Sequence, residues 1–535
     1  MFLQLLSVCY TYQTFANGDQ TPIVKSTKKN IIMLVTDGTG PASINMARYF
    51  RQYRDDLDIS DTLTLDKYFV GSSRTRSNSS LITDSAAGAT VFSCGLKTYN
   101  GAIAVDPLQN PCGTILEALK LKGYKTGLVV TTSLTDATPA AFNSHADDRS
   151  MQSLIAGQQL GLDTSLGLVT DLMIGGGRCF YLPGSDPAGC RTDQLNMVER
   201  AKDLGFTVAL DKNEFDQLDL GKNATLPLLS LLAYYNIPYD IDRDEAVYPS
   251  LEEEVITALT MLSEATKDSD EGFFLMIEGS RIDHAGHQND PAAQVREVLA
   301  FDKAFKQVID FVDSTDVETF VISTSDHETG GLTVGRQVTP TYPEYLWKPD
   351  ALLNATKSGE YAIHKINTFK SELEKQGEDD LQIKGSKLYN FIKTDILEQD
   401  LGITDYTHED IARIIADITK AHDYLNDMVS VRAEIGWSTH GHTAVDVNIY
   451  GHSNTERGLD LIHKYLRGNV ENTEIGKFWE HITGSDLSHV TKLLEGTKHS
   501  ISEEDISAEN EQESVSHLLG MHPLPEQVID LEDQA

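Results

Sequence analysis

Residues Ile31–Tyr53 read IIMLVTDGTGPASINMARYFRQY. Five consecutive apolar residues end in a polar, glycine-bearing break, and from Pro41 the apolar residues recur at three- and four-residue spacing. An unbroken apolar run of this length is typical of a strand buried on both faces, and the spacing that follows is that of a helix. The pattern recurs along the chain. Gly127–Val130 (GLVV), Leu172–Ile174, Phe273–Ile277 (FFLMI), Thr319–Ile322 (TFVI) and Val445–Tyr450 (VDVNIY) read as buried parallel strands. Thr114–Leu121, Leu251–Lys267 and Gln294–Val312 read as helices between them. Alternation of this kind predicts an α/β fold around a largely parallel sheet.

The chain has 535 residues, of which 40% are hydrophobic and 23% charged, an ordinary globular composition that excludes collagen-like, low-complexity and disulfide-framework classes. Asp and Glu number 81 against 44 Lys and Arg, a formal charge of -37 that argues against a general binder of nucleic acid or anionic membrane. A site for anionic substrates would have to be made positive locally. Of five cysteines, Cys9 falls in the leader, and Cys179 and Cys190 flank a loop rich in Gly and Pro. A disulfide there and four reduced thiols, with Cys94 and Cys112, both fit the count.

Residues 1–25 read as a leader and linker. Met1–Tyr10 (MFLQLLSVCY) is too short to span a bilayer, and Thr14 and Ala16 suit a cleavage site, so a signal peptide or an anchor remnant is expected. Sequons at Asn78, Asn223 and Asn354 are compatible with secretory passage. Residues 26–500 read as the main globular domain. Within it the polar segment of about 336–430 breaks the strand–helix rhythm and reads as an insertion. Residues 501–535 read as an acidic tail.

Ligand sites in α/β sheets form at the carboxyl ends of the strands. Here four such ends carry an acid: Asp37 after IIMLV, Asp136 after GLVV, Glu278 after FFLMI and Asp326 after TFVI. Grouped carboxylates raise one another's pKa unless cations sit among them, so a metal site is expected. Asp283 and His287 stand four apart, Asp326 and His327 are adjacent, and His440-Gly-His442 precedes the last strand. Nitrogen with carboxylate suits Zn²⁺, whereas Glu278 with the hydroxyl of Thr138 suits Mg²⁺. Ser85, in Thr83-Asp84-Ser85-Ala-Ala-Gly, stands where a small-residue helix begins, and the partial positive charge of a helix N-terminus favours an alkoxide or an anion. A serine beside metals needs no histidine base.

Asp37-Gly-Thr-Gly, Thr83-Asp84-Ser85-Ala-Ala, Asp136-Ala-Thr-Pro, Glu278-Gly-Ser-Arg-Ile-Asp283-His-Ala-Gly-His287 and Thr324-Ser-Asp326-His327-Glu-Thr-Gly-Gly, in this order, resemble the alkaline phosphatase family. SRIDHAGHQNDP and STHGHTAVDVNIY are most similar to its fungal vacuolar (repressible) branch. The resemblance implies a three-layer sandwich with an inserted crown-like subdomain, two Zn²⁺ and one Mg²⁺, and hydrolysis of phosphate monoesters through a phosphoserine on Ser85. It implies that Asp283, His287 and His442 hold the first zinc, with His440 as the alternative to His442. Asp37, Asp326 and His327 would hold the second, and Asp37, Thr138 and Glu278 the magnesium. Arg149 would grip phosphate, oriented by Asp84. Asp136 would stand near the magnesium waters, and His284 at a position that varies in the family. Three divalent ions and Arg149 would outweigh the acids around them and leave the site positive.

Also implied are small phosphate esters or phosphorylated peptides as substrates, inorganic phosphate as product, and no nucleic-acid binding beyond terminal phosphates. A homodimer, with the insertion in its interface, and a vacuolar location, with secretion as the alternative, complete the expectation. A phosphodiesterase or sulfatase of the same superfamily, or an inactive metal-binding protein, are the competing readings.

Overall fold

A computed structural model describes residues 28–375 and 381–501. The leader, Cys9 and the tail beyond Ile501 lie outside the described residues, as does the end of the charged stretch Glu372–Asp380. Ten strands form one sheet: β1 Lys29–Val35, β2 Phe69–Arg74, β3 Lys125–Ser133, β4 Leu172–Gly176, β5 Thr207–Ala209, β6 Leu228–Leu231, β7 Phe273–Glu278, β8 Glu318–Thr324, β9 Val447–Ser453 and β10 Gly468–Glu471. Their order is β10-β2-β9-β8-β1-β7-β3-β4-β6-β5. The helices that matter below are α1 Pro41–Arg54, α2 Ser85–Cys94, α3 Ile115–Leu121, α4 Ala137–Asn143, α5 Leu251–Thr266, α6 Arg281–His287, α7 Pro291–Ser314, α8 Gly359–Lys375 and α9 Ala421–Ala433.

β1 lies between β7 and β8 with both edges paired, and helices cover both of its faces, so every position from Ile31 to Val35 is buried and apolar. The two-residue period of a strand divides these side chains between two cores. Ile32 and Leu34 join one core with Phe273, Leu275, Ile277 and Val321, under α1, α5 and α7. Ile31, Met33 and Val35 join the other with Phe274, Met276, Phe320 and Ile322, under α2 and α3. The result is helix, sheet, helix, as the resemblance implied.

One strand departs from the expectation. The run read at Val445–Tyr450 forms β9, Val447–Ser453, and is antiparallel to both neighbours, β2 and β8, rather than parallel. An apolar run carries no direction, so its sequence could not report this. β2, β5, β6 and β10 went unread because they are short, or polar like FVGSSR and GNVE.

The polar segment 336–430 is largely helical where described, and Leu352, Ile363, Ile366, Ile396 and Leu425 extend the core under α1 and α7. Its polar impression comes from amphipathic helices with one buried face. Cys179 and Cys190 are joined by a disulfide, and Cys94 and Cys112 are free and buried. Among the described residues no helix is long and apolar enough to cross a membrane.

Candidate active site

The register of the three central strands assembles the site. Val35 is level with Glu278 on one side and with Thr324 on the other. Asp37 and Asp326, each two residues past a strand end, therefore emerge side by side next to Glu278. Gly38 makes this loop possible: its φ is +72°, and a Cβ there would lie 2.6 Å from the Asp283 Cα. α6 carries Asp283 and His287 on one face, as the four-residue spacing predicts.

Because β9 runs backward, its entry point lies at the same sheet edge as the exits of the others. His442 arrives there, pairing in a two-residue ladder with Thr329. α2 begins at Ser85 because Asp84 is its N-cap, accepting from the Ala87 N–H at 2.9 Å. Its small residues permit a close approach: a Cβ on Gly88 would stand 2.9 Å from the Asp326 Cβ.

Ser85 Oγ lies 3.0 Å from His327 Nε2 and 3.5 Å from Asp37 Oδ1. His327 Nε2 is 3.2 Å from Asp326 Oδ2 and 3.5 Å from Asp37 Oδ1. On the far side, His287 Nε2 is 3.3 Å from Asp283 Oδ2 and 3.0 Å from His442 Nε2, and His442 Nε2 is 3.7 Å from Asp283 Oδ1.

All three imidazoles present Nε2 inward because Nδ1 is engaged elsewhere. His442 Nδ1 donates to the Thr83 carbonyl at 2.8 Å, and His287 Nδ1 donates to the His440 carbonyl. His327 Nδ1 meets the Thr329 hydroxyl at 3.1 Å, and that hydroxyl itself donates to Asp283, so it accepts from the ring. Fixing the outer nitrogen in this way leaves the inner lone pair free for a metal.

Burial of so many acids needs compensation. Burial pushes the Asp37 carboxyl well above its ordinary range, and Asp326, Asp283, Glu278 and Asp136 push it further. Burial lifts Glu278 to about 8, with Asp136 and Asp326 adding to it against the hydrogen bond from Ser280. Burial also opposes ionisation of Asp283, but His287, His442 and His327 outweigh it and hold that group well below the usual carboxylate range. His442 is lowered to about 3 by burial and by His327, which keeps it neutral, the form that binds metals.

Asp326 Oδ2 is buried without a hydrogen-bond donor, and Thr138 Oγ1 is buried without a partner of ordinary hydrogen-bond geometry. Asp37, Asp326 and His327 converge within 4.8 Å, as do Asp283, His327 and His442. Orphaned buried acceptors among converging carboxylates and imidazoles fit divalent cations.

The other expected residues are distributed as follows. Arg149 donates to Asp136 at 2.9 Å and lies 3.7 Å from Asp84, so Asp136 is the closer of its two acids. His284 turns from the cluster toward Arg281, 3.3 Å away. His440 is exposed and reaches the site through its backbone.

Residues 28–484 match the family model for alkaline phosphatase. The chain is 54% identical over 486 residues to the repressible alkaline phosphatase of Saccharomyces cerevisiae, covering 88% of this chain and 84% of that one. The chain belongs to the alkaline phosphatase family. Phosphate monoester hydrolysis is that family's activity, and the chain is an enzyme of this kind. The cold-active alkaline phosphatase of Shewanella sp. superposes with a TM-score of 0.68 at 29% identity, over 85% of this chain and 99% of that one. A variant of the alkaline phosphatase from the Antarctic bacterium TAB5, described with Mg bound in its M3 site, does so with a TM-score of 0.57 at 26% identity, over 86% and 99%.

Several supporting residues of this alkaline phosphatase were not singled out by motif. Thr329 and the Thr83 carbonyl lie inside the quoted motifs, but only the fold reveals which ring each one holds. Arg281, the first residue of α6, is fully buried: it pairs with Glu360 on α8 at 2.8 Å, donates to the Ile237 carbonyl and lies 3.8 Å over the Tyr239 ring. Gln288 also donates to Glu360. The helix that carries Asp283 and His287 is thereby keyed to α8, which no spacing in sequence could signal.

Nearby Glu297 accepts from the Asp240 N–H, and burial, reinforced by Asp240, raises its pKa from 4.5 to about 8. Between these values the folded chain holds a proton that the unfolded chain has released, so stability falls as pH rises through that window. Glu297→Gln keeps the acceptor and removes the titration. The drop in Tm between pH 5.5 and 8.5 is expected to shrink by roughly 1–2 °C. An unaltered slope in thermal melts would count against this assignment.

Proposed function

We infer that this chain is a metal-dependent phosphomonoesterase that acts through a phosphoserine on Ser85, with two Zn²⁺ and one Mg²⁺. The observation that carries this reading is the Ser85 hydroxyl, 3.0 Å from His327 Nε2, at the first position of a helix and at the edge of two converging ligand groups. Asp283, His287 and His442 suit the first zinc, and Asp37, Asp326 and His327 the second. Thr138 and Glu278, with Asp37, offer the oxygen set that Mg²⁺ prefers. Such cations would lower the pKa of a hydroxyl or of water and screen charge on a leaving oxygen.

The chain's own residues do the rest. Ser85 Oγ attacks phosphorus in line, a P–O bond to serine forms and the bond to the alcohol breaks. The serine proton goes to solvent, and the departing oxygen takes one from it. Water then displaces Ser85 and releases inorganic phosphate. The start of α2, with no acid in its first turn, favours the charge on Oγ. The Arg149 guanidinium fork matches two non-bridging oxygens, which lysine cannot do. Asp136 and Asp84 aim it.

Hydrolysis of p-nitrophenyl phosphate at alkaline pH tests the reading. Activity is expected that EDTA abolishes and that zinc with magnesium restores. Arg149→Ala is expected to lower kcat/KM about 10²-fold, with a weaker inhibition by inorganic phosphate. A folded, metal-loaded chain that leaves this ester intact would refute the reading and turn attention to diesters and sulfates.

The Cys179–Cys190 disulfide and the exposed Asn78, Asn223 and Asn354 support passage through an oxidising, glycosylating route to a vacuolar lumen, or to the outside. Exposed Tyr342, Tyr345, Val338 and Leu346 at the start of the insertion support a homodimer interface there.

A further inference from the structure

A cavity of about 620 Å³ opens near the site, between the segment that holds Arg413 to Asp427 and the stretch from Gly436 to His440 that leads to His442. Its wall includes His440, Trp437, Tyr424, Arg336, Arg413 and Lys420. The reacting groups set its position relative to the chemistry. Ser85 Oγ sits with Asp37 and His327, so in-line displacement sends the leaving oxygen away from them, toward Asp283, His287 and His442. His287 is bound to His440 twice: its Nδ1 donates to the His440 carbonyl, and His440 Nδ1 donates to the His287 carbonyl at 2.7 Å. The cavity therefore begins one residue behind His287, on the side of the site toward which the alcohol leaves.

The lining has a sign. Three cations face two acids, in a chain whose net charge is -37. Asp427 is taken by Arg336 at 2.7 Å, and Asp423 stands 3.4 Å from His422. Among the described residues Lys420 keeps only an exposed contact with Asp417 at 3.5 Å. Arg413 lies 3.9 Å over the Tyr424 ring and has no carboxylate within 4.0 Å among the described residues. The volume is in the range of small-molecule sites, larger than a sugar acid requires.

We propose that this cavity is the leaving-group pocket and selects phosphate monoesters whose alcohol part carries a second anionic group, recognised by Arg413 and Lys420. The proposal rests on the phosphomonoesterase reading above and adds the class of substrate. Cations on that wall offset the repulsion that a strongly acidic protein otherwise exerts on a multiply charged ester.

The test compares 6-phosphogluconate with sorbitol 6-phosphate, open-chain esters that differ only at the end far from phosphate, as carboxylate against hydroxymethyl. The metal-loaded wild type is expected to favour 6-phosphogluconate in kcat/KM by about 5–10-fold at low ionic strength. The preference should reside in KM and shrink as NaCl is raised. In the double variant Arg413→Gln/Lys420→Gln, both positions being exposed, the ratio is expected to fall to about one. A wild-type ratio near one, or a preference that survives both substitutions, overturns the pocket assignment while leaving the phosphomonoesterase reading in place. Failure to hydrolyse either ester overturns that reading and this inference with it.

Discussion

Ser85→Ala is expected to reduce turnover of p-nitrophenyl phosphate at least about 10³-fold, with Tm within about 1 °C of wild type and metal content unchanged. The physical case rests on what the substitution leaves alone. Asp84 still caps α2 through the Ala87 N–H and still accepts from the Gly101 N–H at 2.8 Å. Alanine is a good helix former at a first-turn position. Among the described residues the hydroxyl makes no other hydrogen bond: its neighbours are His327 and Asp37, both within the cluster of acids and histidines. Only the atom that would carry the phosphoryl group is lost. Acid quenching with a radiolabelled ester separates nucleophile from bystander, because wild type should retain label on Ser85 and the variant none. Retention of a tenth of the activity with no label on the wild-type serine would sink the covalent route.

Chelation is expected to abolish activity and also to lower Tm, by at least about 5 °C. Asp37, Glu278, Asp283 and Asp326 are all at least nine-tenths buried, and cations removed from among them leave like charges facing one another. The same reasoning gives a result that activity alone could not. Asp37 is the group on which the other acids press, so Asp37→Asn should be nearly inactive, yet its EDTA-treated form should melt above EDTA-treated wild type at pH 8. With metals present the order should reverse, because a ligand is missing. Melts of four samples, two chains with and without chelator, decide it. An apo wild type as stable as the loaded one would mean that the acids are compensated by groups other than metals.

Much of this was legible in the chain. The strands that build the middle of the sheet are the most apolar and most regular, and β1, β3, β7 and β8 were readable because burial on both faces leaves an unbroken apolar run. The edge strand β10 and its neighbour β2, both polar and partly exposed, carry no such mark. The acids and histidines that meet at the sheet edge were visible as residues following strand runs. The roles of Thr329 and Arg281, and the choice between Asp84 and Asp136 as the nearer partner of Arg149, depend on distances between segments far apart in the chain.

The sequence by itself determined the α/β alternation, the acids placed after the central strands, the helix that begins at Ser85 and the family. All of these follow from local chemistry: side-chain period, capping preference and ligand type act over a few residues. Only the tertiary structure decided that β9 runs against its neighbours and so delivers His442 to the edge where Asp37 and Asp326 emerge. The same packing decided that Thr83, His440 and Thr329 turn each Nε2 inward, and that α8 reaches back to hold α6 through Glu360. Direction, register and contacts between distant segments are set by packing across the whole core, and no short run of residues encodes them.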